Sequence, residues 1–185
     1  MFNPLYEKKE VLSKAKEAFR NNPVLPNIKL AKILDEASYK KVAHHLGQQD
    51  FTVVKNPLES WYSTAPLSAK QVTSLVEFAQ TVIGKKISLV DAQVIKLEHR
   101  NFSMLPDTIV ASKKTEYELI LDCSVWDEKA GGDIVYVNDE ETIQISACAN
   151  TLILVEKTPG TRRFFQYVNH YGTDKKRLFL VATLK

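Results

Sequence analysis

The segment YELILDCSVWDEKAGGDIVYV, residues 117–137, reads as two strands joined by a tight connection. Apolar and β-favouring residues fill its two ends, and Lys129-Ala130-Gly131-Gly132 interrupts them as a strong breaker. The pattern predicts strands over Glu116–Cys123 and Asp133–Val137. Working outward, similar short runs rich in Val, Ile, Leu, Tyr and Phe predict strands near Ile87–Leu97, Ile109–Ala111, Thr142–Ser146, Thr151–Glu156, Arg163–Val168 and Arg177–Leu184. Thr158-Pro159-Gly160 supplies a second strong turn. Short strands in succession after residue 86 point to an antiparallel sandwich or jelly roll, an α+β and mainly β class.

Upstream of that block the chain is helical. Tyr6–Arg20 places Val11, Leu12, Ala15, Ala18 and Phe19 on one face, with Lys and Glu between them, and Asn21-Asn22-Pro23 ends the pattern. Asp35 reads as the N-cap of a second helix, Glu36–Leu46, closed by Gly47. Ser68 precedes a third, Ala69–Ile83, which stops at Gly84. A short strand is expected after Pro26-Asn27 and another at Phe51–Lys55, while Asn56–Pro66, with Trp61 and Tyr62 inside it, reads as loop. The helices are expected to pack on one face of the sheet.

Composition sets outer limits. The 185 residues are 44% hydrophobic and 25% charged, which excludes a disordered or collagen-like chain. No apolar run approaches the roughly 18 residues of a membrane span. The opening MFNPLYEKKEVLSK lacks the apolar core of a signal peptide. Basic residues number 25 against 22 acidic, for a net charge of +3, too balanced to call for nucleic acid. Cys123 and Cys148 are expected to be reduced thiols in a cytoplasmic protein. A Gly-rich phosphate loop, a Cys-x-x-Cys pair and a nucleophile elbow are all missing from the sequence.

Several ordered motifs follow the decisive segment: Trp126 to Gly132, Ile134 to Tyr136, Ala149-Asn150-Thr151-Leu152, Pro159-Gly160 leading into Arg163-Phe164-Phe165-Gln166-Tyr167-Val168, and Lys176-Arg177-Leu178. In this order they resemble the double-stranded β-helix of iron(II)/2-oxoglutarate-dependent dioxygenases, closest to the prolyl-hydroxylase group. The resemblance spans roughly residues 28–184. It implies a jelly roll with N-terminal helices packed on one sheet. Residues 1–27 would form an amphipathic helical extension, and residues 28–185 the double-stranded β-helix domain with its supporting helices.

The resemblance also implies a site. Two His and a carboxylate hold iron(II) on one face, and a basic residue on the last strand pairs with the distal carboxylate of 2-oxoglutarate. Here the His-x-Asp position reads Leu105-Pro106-Asp107, and the second His position falls on Phe165. Neither Leu105 nor Phe165 carries a lone pair. Asp107 is left as a relic ligand and Arg177 as the candidate carboxylate anchor. His99, eight residues before Asp107, is a further candidate ligand. His44 and His45, adjacent on a helix, point about 100° apart and do not share an ion. His170 lies in a turn.

Neighbours on a strand face opposite sides, so one of Phe164 and Phe165 must enter the barrel, beside Leu105. The expected function is a non-catalytic binding module with neither iron nor 2-oxoglutarate as cofactor, taking a protein partner or a small carboxylate at Arg177. Two other readings stand beside it. One is an active iron(II)/2-oxoglutarate protein hydroxylase with ligands recruited from His99, Asp107 and His170. The other is a cupin-like barrel that binds a sugar or small acid without oxygen chemistry.

Overall fold

The structure, a computed structural model, describes residues 1–56, 59–104 and 114–185. A 3₁₀ turn at Pro4–Glu7 leads into α1 (Lys9–Arg20), followed by β1 (Asn27–Ala31) and α2 (Glu36–Gly47). Next come β2 (Thr52–Asn56), β3 (Ser60–Pro66) and α3 (Ala69–Ile83). The β-rich half contains β4 (Leu89–Leu97), β5 (Phe102–Ser103), β6 (Glu116–Asp122), β7 (Ile134–Val137), β8 (Thr142–Ile145), β9 (Thr151–Lys157), β10 (Arg162–Phe165) and β11 (Arg177–Leu184). The strand expected at Ile109–Ala111 lies outside the described residues.

Two antiparallel sheets face each other. The larger runs β1-β9-β6-β11-β4-β3-β2, with β5 added beside β3. The smaller runs β10-β7-β8. The last strand therefore lies in the middle of the large sheet, pairing Phe179 with Ile95 on β4 and with Asp122 on β6. This is the expected jelly roll.

The strand period explains why two cores form. Along β6, Tyr117, Leu119 and Leu121 point to the helices, where they join Phe19, Leu34, Val72, Leu75, Ala79 and Val82. Ile120 points the other way, between the sheets, with Ile134, Tyr136, Phe165, Phe179 and Val181. Seven residues of α3 are buried at helical spacing. Its start is fixed by the Ser68 N–H donating to Gln71 Oε1 at 2.7 Å, and its end by Gly84 at φ +75°. The 3₁₀ turn and α1 belong to the same helical core, through Tyr6, Ala15 and Phe19. Among the described residues no helix is long and apolar enough to cross a membrane.

One expectation is corrected. Ser60–Pro66 is a strand, not loop: β3 pairs with both β2 and β4. It disguises itself by burying small side chains, Ser63 and Ala65, where a sheet core normally places large ones. Its larger residues lie elsewhere. Trp61 lies under the Lys55 ammonium at 4.7 Å, across the β2–β3 pair, and Tyr62 leans into the inter-sheet core. Arg162–Phe165 is also shorter than the strand predicted there, although the Gln166 N–H still donates to the Asp133 carbonyl, the next partner in the β10–β7 register.

Asn150 ties the N-terminal strand region to the barrel. It sits at φ +53°, a conformation Asn tolerates better than most residues. Its amide accepts from Leu34 N–H and donates to Leu34 C=O, both at 2.9 Å, and both groups are buried. Asn150→Ala should therefore cost about 2–4 kcal/mol in urea unfolding, since two buried backbone groups lose their partners. Asn150→Gly, which relieves the φ but not the hydrogen bonds, should fall between the two.

Candidate functional site

The space between the sheets is filled, in order, by a guanidinium, two aromatic rings and a second guanidinium. Arg163 lies over the Phe165 ring at 5.3 Å. Phe165 meets Phe179 edge-on, centroids 5.6 Å apart, and Tyr62 edge-on at 5.4 Å. Arg177 lies over Phe179 at 5.2 Å. Phe165 is 3% exposed and Phe179 fully buried. The backbone N–H of Phe165 donates to Ser103 Oγ at 2.8 Å, which holds the end of β10 against β5. Phe164, on the opposite face, is half-buried and lines an open, mainly apolar groove of about 760 Å³ with Phe102, Met104 and Tyr167.

Each guanidinium meets a carboxylate from β6. At one end Arg177 donates from Nε and Nη2 to Asp122 Oδ2, at 3.2 and 2.8 Å, and from Nη1 to the Gly132 carbonyl. Both side chains of this pair are fully buried. Gly131 and Gly132, at φ +70° and +76°, make the bend that brings that carbonyl in, and a Cβ on Gly132 would approach Val168 Cγ2 to 2.9 Å. At the other end Glu118 accepts from Tyr136 OH at 2.6 Å, Arg163 Nη1 at 2.8 Å and Lys157 Nζ at 3.1 Å. Burial pushes the Glu118 carboxyl up, but the Arg163 and Lys157 charges and the Tyr136 hydroxyl outweigh it and hold it below the usual range. Burial raises Tyr136 well above the ordinary phenol value, and the Glu118 charge adds to this. The Cys123 thiol, buried and beside Asp122, is pushed up to about 12. It is a packed thiol rather than a nucleophile.

Solved structures place this architecture. No protein-family model matches the chain. No curated protein matches it either. An oxidoreductase of the 2OG-Fe(II) oxygenase family from Burkholderia pseudomallei superposes with a TM-score of 0.71 at 10% identity, over 94% of this chain and 90% of that one. A prolyl hydroxylase from Trichoplax adhaerens, in complex with a hypoxia inducible factor oxygen degradation domain peptide fragment, gives 0.72 at 9% identity, over 96% and 93%. A prolyl-4-hydroxylase from Pseudomonas putida gives 0.68 at 8% identity, over 92% and 98%. The fold is that of the 2-oxoglutarate oxygenases. At these identities the likeness concerns the fold alone.

On this oxygenase fold the residues named from sequence distribute unevenly. Phe165, at the position where the resemblance puts the second His, is the ring that enters the barrel. Leu105 and Asp107 lie outside the described residues. His99 is half-buried in the turn after β4. His170 is exposed, its ring tilted against that of Tyr171 with centroids 4.2 Å apart. His45 is exposed on α2, its Nε2 2.8 Å from the Gln71 side-chain nitrogen. Among the described residues no group of three or more His, Cys, Asp or Glu side chains gathers as an ion would need. Arg177 does not open onto a barrel mouth: the carboxylate it meets is that of Asp122.

Asp122 and Glu118 were not singled out from the sequence. The signal is in the opening segment, where Glu118, Ile120 and Asp122 share one strand face. Two acids in the inward phase of a strand buried on both faces require cations opposite, and Arg177, Arg163 and Lys157 supply them.

Phe165→Ala should lower stability by roughly 3–5 kcal/mol, with a much smaller loss for Phe164→Ala, as read by chemical unfolding. The depressed Glu118 carboxyl stabilises the fold fully above the ordinary Glu range, near pH 4.3. That contribution is lost as pH falls through its folded-state value. Stability measured from neutral pH downward should decline through the acid range, and Glu118→Gln should flatten the slope. The variant should also be less stable at pH 7, toward the lower end of roughly 3–5 kcal/mol, because Arg163 loses its counter-ion and Lys157 the nearer of its two.

Proposed function

We propose that the chain is a non-catalytic descendant of the oxygenase fold, a cytoplasmic binding module whose barrel interior serves packing instead of iron and 2-oxoglutarate chemistry. The observation that carries this reading is Phe165. Its ring lies buried between Tyr62 and Phe179 on the strand where the resemblance expects a metal-binding His. A phenyl group offers no lone pair, and its neighbours leave a divalent ion neither ligands nor water. The described residues thus fit poorly with the group that the fold family implies.

A protein is the partner class this reading favours. The groove that Phe164 lines at the end of this strand is apolar and open, and is of a size that side chains of a docked segment can fill. One similar structure, the Trichoplax prolyl hydroxylase, is itself a peptide complex.

Anaerobic iron(II) titration followed by a succinate-release assay tests the proposal. The expected result is no stoichiometric iron binding and no 2-oxoglutarate turnover. Micromolar binding with succinate production by the unmodified protein would instead establish the active hydroxylase, with ligands drawn from His99, Asp107 and His170.

A further inference from the structure

Arg177 has no exposed surface, and its charge cannot be left uncompensated in the dry space between the sheets. Two groups accept from its donors. Asp122 Oδ2 takes Nε–H and Nη2–H, and the Gly132 carbonyl takes Nη1–H. The other Asp122 oxygen, Oδ1, accepts the Ser124 N–H at 3.0 Å. The carboxylate of Asp122 is therefore held by two guanidinium donors and one backbone amide, a charge-assisted set that suits any small carboxylate. Ser124 adds rigidity, since its hydroxyl bridges to the backbone of Leu178, next to Arg177, as donor to the carbonyl at 2.9 Å. In effect this is a complete anion site whose ligand is part of the chain.

We propose that Asp122 is the resident anion of Arg177: it occupies a preformed carboxylate site, shuts small carboxylic acids out of the native barrel, and on removal exposes a site for formate-sized monocarboxylates. The size follows from the substitution itself, because Asp122→Ala deletes a carboxylate group and leaves the rest of the residue in place. The void then has Arg177 Nε and Nη2 and the Ser124 amide aimed into it. The proposal is independent of the non-catalytic reading. Iron held elsewhere in the chain would leave it intact, and a catalytically silent protein that took up 2-oxoglutarate at Arg177 would contradict it.

The test has two arms. In the ¹⁵N-labelled native protein, the Arg177 Nε–H resonance should be protected from exchange and unmoved by excess 2-oxoglutarate, succinate or formate. In Asp122→Ala, sodium formate should raise the thermal midpoint by about 2–4 °C over sodium chloride at equal ionic strength. The effect should vanish in Asp122→Ala/Arg177→Gln. A native Arg177 resonance displaced by 2-oxoglutarate overturns the proposal, and so does a folded Asp122→Ala protein that responds alike to formate and chloride. If Asp122→Ala stays unfolded even in formate, the native titration alone decides: an undisturbed resonance supports the proposal and a displaced one refutes it.

Discussion

Two acids on one face of β6 set the terms for everything between the sheets. Asp122 and Glu118 are buried four residues apart on a central strand, and neither can keep its charge there without a cation. Arg177 answers one from the neighbouring β11, while Arg163 and Lys157 answer the other from β10 and β9. These contacts stitch strands from both sheets to β6. The aromatic pair Phe165 and Phe179 fills the length between the two ion networks and separates them with a layer that excludes water. Register follows from the same constraint. Sliding β11 by one residue against β6 would turn Arg177 to the helical side and leave Asp122 alone in the barrel.

The interior shows how this architecture can fill the space between its sheets with rings and ion pairs of its own chain. The superposed oxygenases share about a tenth of their residues or fewer with this chain, yet they superpose over nearly its whole length. What preserves such a fold is the alternation of inward and outward side chains along each strand, together with the glycines and asparagine that make its bends. A side chain at the barrel centre answers to a different requirement: it must fill volume and satisfy charge. Phenyl rings and internal ion pairs meet that requirement without a ligand.

The fold was legible in the sequence because its strongest signals are local. The β6–β7 segment, the Gly131-Gly132 bend, the α3 periodicity with Ser68 and Gly84 at its ends, and β11 all lie where their residues indicate. β3 was not legible, since Ser63 and Ala65 give no hydrophobic alternation and the strand is defined by neighbours far off in sequence. The site was half legible. Strand parity required one of Phe164 and Phe165 in the interior without saying which, and the structure puts Phe165 there. The partner of Arg177 could not be identified, because the run Lys175-Lys176-Arg177 looks like a solvated turn until β11 is set beside β6. Pairing across 55 residues is a property of topology, which no local window contains.

The central place of β11 bears on how the protein comes into being. A ribosome releases β4 and β6 well before the strand that must lie between them. Until β11 has emerged, each of the two offers an unsatisfied backbone edge, and the aromatic layer lacks Phe179. The helices can form early on their own local signals, but the large sheet can close only after synthesis has passed the last strand. The nascent chain therefore waits with the facing edges of β4 and β6 open, and a holdase or a slow local translation rate would act on that interval.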